Sequence, residues 1–283
     1  MCRLFAQVSP VPAPAAEHLL ASERSLFKQA RANPKNLQKD GWGIGHFNAS
    51  ERAVIGKSPL PVYKQKTAFA AAAGRARSRI VVGHIRAASN PRGIAVKKLV
   101  SKANTQPYTD GRWIFAHNGT LQIPDEVARA LGPLARNVRS QNDSEIYFWQ
   151  FMKFLKKTGG PAAAFEACIA ENWRLWAKCR RNHPGKTAPY TSLNAVAANA
   201  RGVHVLCHSS KSSRRRACNP SQPWYVMSFT RRNGKIVIGS ENLDAGPWTR
   251  LRPPEILSVE IRNGGLRIAR RKIDVSRWMK KPN

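Results

Sequence analysis

Cys2 stands directly behind the initiator methionine, and removal of Met1 leaves a thiol and a free α-amine on the same residue. An α-amine titrates near about 7.7–8.0 and a thiol near about 8.5. At neutral pH, unprotonated amine is therefore on hand to take the thiol proton and arm a nucleophile. Read alone, a cysteine here is more simply a second codon. Further along, Phe115-Ala116-His117-Asn118-Gly119-Thr120-Leu121 follows a strand-like run. Its Asn-Gly pair is either a tight hairpin turn or a side-chain amide on Asn118 and a backbone N–H on Gly119 aimed together at an oxyanion. In Gly83-His84-Ile85-Arg86-Ala87-Ala88-Ser89, at the exit of an apolar run, Arg86 is either a surface cation or a planar fork for a substrate carboxylate. In Ser140-Gln141-Asn142-Asp143-Ser144-Glu145, Asn142 or Asp143 either caps the following helix or offers a carboxylate to a substrate ammonium. Fork and carboxylate together would read both ends of an α-amino acid. Asp40-Gly41-Trp42-Gly43-Ile44-Gly45 has the spacing of neither a dinucleotide fingerprint nor a phosphate loop, so it reads as close backbone packing.

The elements that must position these residues show in the periodicity. β-Branched and alternating runs predict strands at 3–9, 42–48, 79–85, 112–116, 193–198, 203–208, 224–230, 235–239, 256–261 and 266–273. Apolar residues at helical spacing predict long helices over 143–157 and 161–180 and a shorter one over 15–30. Asn233-Gly234 between two strand runs predicts a hairpin. Strands in antiparallel groups with helices between them predict an α+β fold of stacked antiparallel sheets, not a doubly wound parallel sheet. No repeat or long linker divides the chain, so the expectation is one domain over 1–283.

The charge is unusual: 48 Lys and Arg face 16 Asp and Glu, a net +32 spread over both halves of the chain. Such a surplus points to an anionic partner or substrate and says nothing about fold. Trp173, Trp176, Trp224 and Trp248 among basic residues raise the alternative of a nucleic-acid or polyanion binding module. The loop at 209–216 is a local basic cluster. No run is long and apolar enough for a membrane helix and the N-terminus does not read as a signal peptide, so a cytoplasmic protein with no membrane association is expected. Cys2, Cys168, Cys179, Cys207 and Cys218 form neither a dense disulfide framework nor a paired metal motif. Reduced thiols, no metal and no cofactor are the expectation.

Taken in order, Met1-Cys2-Arg3-Leu4, Asp40 to Gly45, Gly83 to Ser89, Phe115 to Thr120 and Asn142 to Glu145 resemble the class II glutamine amidotransferases, above all their stand-alone members. Gly239-Ser240-Glu241-Asn242-Leu243 looks like that group's C-terminal segment. Gln106 and Asn242 stand where the group commonly carries His and Pro. The resemblance implies a four-layer αββα fold of the N-terminal nucleophile hydrolase kind. It implies Cys2 as nucleophile with its own α-amine as base, and Asn118 and Gly119 as the oxyanion hole. Arg86 would hold the substrate α-carboxylate and Asp143 the α-amino group, with His84, Ser89 and Trp42 lining the pocket. The implied substrate is glutamine or a γ-glutamyl compound. Ammonia would go to a partner protein or be released, and the basic surface would suit an acidic partner or polyanion.

Overall fold

The computed structural model describes residues 2–210, 222–223 and 225–279. Met1, Cys218, Trp224, Lys211 to Arg216, Lys280 and Lys281 lie outside the described residues. The strands are β1 (Arg3–Ala13), β2 (Trp42–Phe47), β3 (Ala53–Ser58), β4 (Ser78–Ile85), β5 (Tyr108–Thr109), β6 (Ile114–Leu121) and β7 (Tyr190–Asn199). They continue as β8 (Gly202–Cys207), β9 (Ser228–Arg232), β10 (Lys235–Gly239), β11 (Thr249–Arg250), β12 (Glu255–Arg262) and β13 (Gly265–Lys272). The helices used below are α1 (Leu26–Gln29), α2 (Lys66–Arg75), α3 (Val96–Leu99), α4 (Pro124–Ala130), α5 (Asp143–Thr158) and α6 (Pro161–Cys179).

Two antiparallel sheets form, one ordered β11-β9-β10-β1-β4-β2-β3 and the other β13-β12-β8-β7-β6-β5. Side chains alternate across a strand, so both faces of a buried strand need apolar residues. β1 shows this directly. Leu4, Ala6 and Val8 face a core shared with Ile114, Ala116, Val196 and Val205 of the second sheet, while Phe5 joins Leu26, Phe69, Val81 and Ile85 on the other side. On the second sheet, Phe115, Leu193 and Ala195 turn outward into a third core with Tyr147, Phe148, Phe151 and Phe165 of α5 and α6. The result is helix, sheet, sheet, helix, the α+β layering expected.

Several boundaries differ from expectation. The span 15–30 is not one helix: a turn over Glu17–Ala21 is followed by a break, and α1 starts anew behind Ser25, whose hydroxyl accepts the Lys28 amide at 3.4 Å. The strand expected from residue 224 begins only at Ser228, and β3, α2 and α4 were not expected. Asn118-Gly119 is not a turn. β6 runs through it to Leu121, with Asn118 opposite Asn194 and Gly119 opposite Leu193 of β7. The Asn233-Gly234 hairpin does form, with φ of 48° and 71° joining β9 to β10.

Candidate active site

The site lies at one end of the sandwich, where β1 begins and β4 and β6 end. Cys2 is held there by its neighbours in the chain. Leu4 donates its amide to the Ser240 hydroxyl at 2.9 Å and its carbonyl accepts the Ser240 amide at 3.0 Å, which extends the β1–β10 pairing past Gly239. Arg3 and Glu241 form a 2.7 Å ion pair with both side chains buried. The C-terminal Ser240-Glu241 segment is therefore a clamp on the start of β1. The Cys2 thiol is buried and donates to the Ala87 carbonyl at 3.4 Å. Burial pushes the thiol pKa up, nearby Arg86 draws it down, and Asp143 raises it further.

Arg86 follows β4 directly. Its amide donates to the Gly41 carbonyl at 2.8 Å and its own carbonyl accepts the Asp40 amide at 3.1 Å, so the β2–β4 pairing continues through it. Its guanidinium, 2% exposed, donates to the Leu99 carbonyl at 2.7 Å. The Asp40 carboxylate accepts the Ala88 amide at 2.8 Å and fixes the turn that carries Ala87. Ser89 is half-buried in the same turn.

Asp143 opens α5, but the cap is Asn142, whose side chain accepts the Ser144 amide at 3.0 Å. The Asp143 carboxylate accepts instead the Leu121 amide of β6 at 2.7 Å. Burial pushes its pKa up to about 6, against the Leu121 bond and the charges of Arg86 and Arg92. Thus one strand, β6, carries both Asn118 and the amide that seats Asp143.

Asn118 shares the inter-sheet side of β6 with Ile114 and Ala116, and its Oδ1 is buried with no hydrogen-bond partner. Gly119 is a steric necessity, since a Cβ there would lie 2.0 Å from the Ser192 carbonyl oxygen. Behind Asn118 sits a network that the sequence did not reveal. Gln106 accepts the His117 amide at 2.6 Å and donates to the His117 carbonyl at 3.1 Å, mimicking a paired strand. It also donates to the Ser144 hydroxyl at 3.3 Å. His117 Nε2 lies 3.0 Å from the Ser192 carbonyl, so that nitrogen carries the proton and Nδ1 accepts Ser144 Oγ–H at 3.0 Å. Burial pushes the imidazole pKa down to about 4, so it stays neutral. This chain ties the residue before Asn118 to the residue after Asp143.

His84 is fully buried on β4, and burial together with Arg86 pushes its pKa down to about 3. Trp42 departs from the expected pocket role. Its indole points to the outer helical layer, donating to Gln65 Oε1 at 3.0 Å and meeting the Phe69 ring edge-on at 5.1 Å. On the opposite face of β2, a Cβ at Gly43 would sit 2.3 Å from the Gln106 carbonyl oxygen. Gly43 admits the Gln106 loop and Gly45 admits the side chains of Ile55 and Ile114, which is the close packing read from Asp40 to Gly45.

A family model described as glutamine amidotransferases class-II matches residues 1–217. Among curated proteins, the gamma-glutamyl-hercynylcysteine sulfoxide hydrolase of Mycobacterium tuberculosis (strain ATCC 25618 / H37Rv) is 32% identical over 102 residues, covering 36% of this chain and 39% of that protein. The chain thus matches about two-fifths of that relative's length. A glutamine aminotransferase class-II domain protein from Silicibacter pomeroyi superposes with a TM-score of 0.62 at 19% identity, over 95% of this chain and 98% of that one. The glutamine phosphoribosylpyrophosphate amidotransferase from B. subtilis superposes with a TM-score of 0.59 at 13% identity, over 95% of this chain and 49% of that one. At these identities the two structures speak for the fold.

Proposed function

Because the chain belongs to the class II glutamine amidotransferases, we propose that it hydrolyses the side-chain amide of glutamine or of a γ-glutamyl compound through a thioester on Cys2. The observation that carries this reading is the buried Cys2 thiol bonded to the carbonyl of Ala87, the residue after Arg86, with Asp143 seated on the Leu121 amide of the strand that carries Asn118. A cation and an anion beside one nucleophile suit a substrate with an α-carboxylate and an α-ammonium.

In this reading Met1 is removed and the Cys2 α-amine takes the thiol proton. The thiolate attacks the amide carbon, and Asn118 Nδ2–H with the Gly119 N–H stabilises the oxyanion. The amine passes its proton to the leaving nitrogen, which departs as ammonia or an amine, and water attacks the thioester to release the γ-carboxylate. Arg86 and Asp143 hold the glutamyl α-groups, and His84 and Ser89 line the pocket. Trp42 acts from behind, by packing. The curated relative's name is that of a γ-glutamyl hydrolase, which supports hydrolysis over transfer to a partner protein.

The polyanion alternative finds little support in the three of its tryptophans that lie among the described residues. Trp173 donates to the Tyr190 hydroxyl at 2.8 Å, Trp176 is 7% exposed, and Trp248 donates to Asp244 at 3.0 Å. They are occupied in packing and bonding instead of offering faces to bases. No helix among the described residues is long and apolar enough to cross a membrane.

The test is intact-mass analysis before and after treatment with a diazo-ketone analogue of glutamine, alongside amide hydrolysis by wild type and Cys2→Ala. Loss of Met1, one adduct that disappears in Cys2→Ala, and no turnover by that folded variant are expected. Full turnover by Cys2→Ala would sink the reading.

A further inference from the structure

The C-terminal end of α6 gathers side chains that amide hydrolysis does not use. Cys179 ends the helix and His183 follows a tight turn over Arg180–Asn182, which brings both against Glu126 of α4. The thiol sulfur, an imidazole nitrogen and a carboxylate oxygen all lie within 4.8 Å of one another, the one such group of three among the described residues. His183 Nε2 is 3.1 Å from Glu126 Oε1, and the Trp176 ring stacks on the imidazole at 6.2 Å. The second carboxylate oxygen, Glu126 Oε2, is buried with no hydrogen-bond partner. Glu126 is distant in sequence from the Cys-His pair, so chain spacing gave no metal motif.

We propose that Glu126, Cys179 and His183 bind a divalent ion of the zinc class. Thiolate, imidazole and carboxylate form a borderline-soft donor set that suits zinc and not magnesium or calcium. The two anionic donors neutralise a dication, and the ion would sit at the negative end of a 19-residue helix. Bond lengths to zinc near 2.0–2.3 Å put tetrahedral donors roughly 3.3–3.8 Å apart. The observed donors lie within 4.8 Å of one another, about an ångström outside that spacing. Two cations now flank the pair: Arg129 is 3.4 Å from Glu126, and Lys186 Nζ is 3.5 Å from His183 Nδ1. Arg129 is 71% exposed and can turn into solvent. Lys186 retains the Gln122 carbonyl at 2.7 Å. The thiol proton leaves to solvent as the sulfur–metal bond forms, and a water completes the coordination. The ion would pin the end of α6 to α4, the helix that follows β6 and precedes α5.

The experiment loads full-length protein with Zn²⁺ or Co²⁺, removes free metal and measures bound metal by elemental mass spectrometry, with the cobalt form read by absorption. Wild type and Cys2→Ala should each retain one equivalent and show a thiolate-to-cobalt charge-transfer band. Cys179→Ser and His183→Ala should bind at least tenfold more weakly and lack the rise in Tm that zinc gives wild type. Substoichiometric zinc, a missing thiolate band in wild type, or binding lost in Cys2→Ala would each overturn the proposal. The wild-type spectrum decides the matter even if a variant fails to fold.

Discussion

Asp143 is a carboxylate removed from water and asked to remain charged. Its pKa is pushed up to about 6, so at pH 7 about nine in ten molecules carry the anion that can pair with a substrate ammonium. Below pH 6 the anion fraction falls about tenfold per unit. The expected result is a loss of kcat/KM between pH 7 and pH 5 that appears mainly in KM, measured by steady-state hydrolysis. The same shift has a stability consequence of opposite benefit. A pKa above the ordinary carboxylate value means that the folded state holds the proton more tightly, so ionised Asp143 destabilises the fold. The penalty is absent below about pH 3, grows as pH rises from there towards 6, and is complete above it. Asp143→Asn, which can still accept the Leu121 amide, should gain roughly 1–3 kcal/mol at pH 7 and almost nothing at about pH 3. Urea unfolding at the two pH values reads the difference. Asn118→Ala should behave differently, lowering kcat by about a hundred- to a thousand-fold with KM little changed, because its donor matters where charge develops on oxygen. An equal loss in KM would place Asn118 in ground-state binding instead.

What holds these residues in register is the pairing of elements, and at the start of β1 a buried ion pair reinforces it. Arg3 and Glu241 are 4% and 2% exposed and joined at 2.7 Å. Removing one partner of a buried ion pair costs about 3–5 kcal/mol. Glu241→Ala should therefore lower Tm by on the order of 10 °C and loosen Cys2, with kcat falling even in the folded fraction. A thermal scan and an activity assay well below Tm test both, and an unchanged Tm would mean that the clamp lies elsewhere. The sequence shows why Arg3, Leu4 and Phe5 form a strand, since consecutive apolar residues serve the two buried faces. It also shows α5 and α6, whose periodicity and Asn142 cap are local signals. Asn-Gly was ambiguous for a physical reason. At 233–234 nothing competes with the turn, whereas at 118–119 pairing with β7 overrides local preference. The Gln106–His117–Ser144 network was invisible because its members are far apart in the chain and meet only when α5 packs on β6. Trp42 was readable in part: with Gly43 and Gly45 marking the face of close approach, alternation puts the indole on the other.

At the scale of the whole molecule the net charge of +32 remains the dominant physical feature. Even with every carboxylate matched to a cation, most arginines and lysines have no acidic partner, and their mutual repulsion opposes the compact state. Exposed pairs such as Arg262–Glu260, at 58% and 33% exposure, contribute little against it. Screening should therefore stabilise the fold. The Debye length shrinks from about 30 Å at 0.01 M salt to about 8 Å at 0.15 M, so repulsion between cations on opposite sides of the molecule is largely removed. Tm should rise by several degrees over that range in sodium chloride. The kinetic effect runs the other way if the surface gathers an anionic substrate: kcat/KM then falls over the same range while kcat holds, because the field acts on encounter and not on chemistry. Measuring both on one preparation separates the two roles. A Tm that falls with salt would show that local attractive pairs outweigh the net repulsion, and a flat kcat/KM would leave the surplus without a part in catalysis.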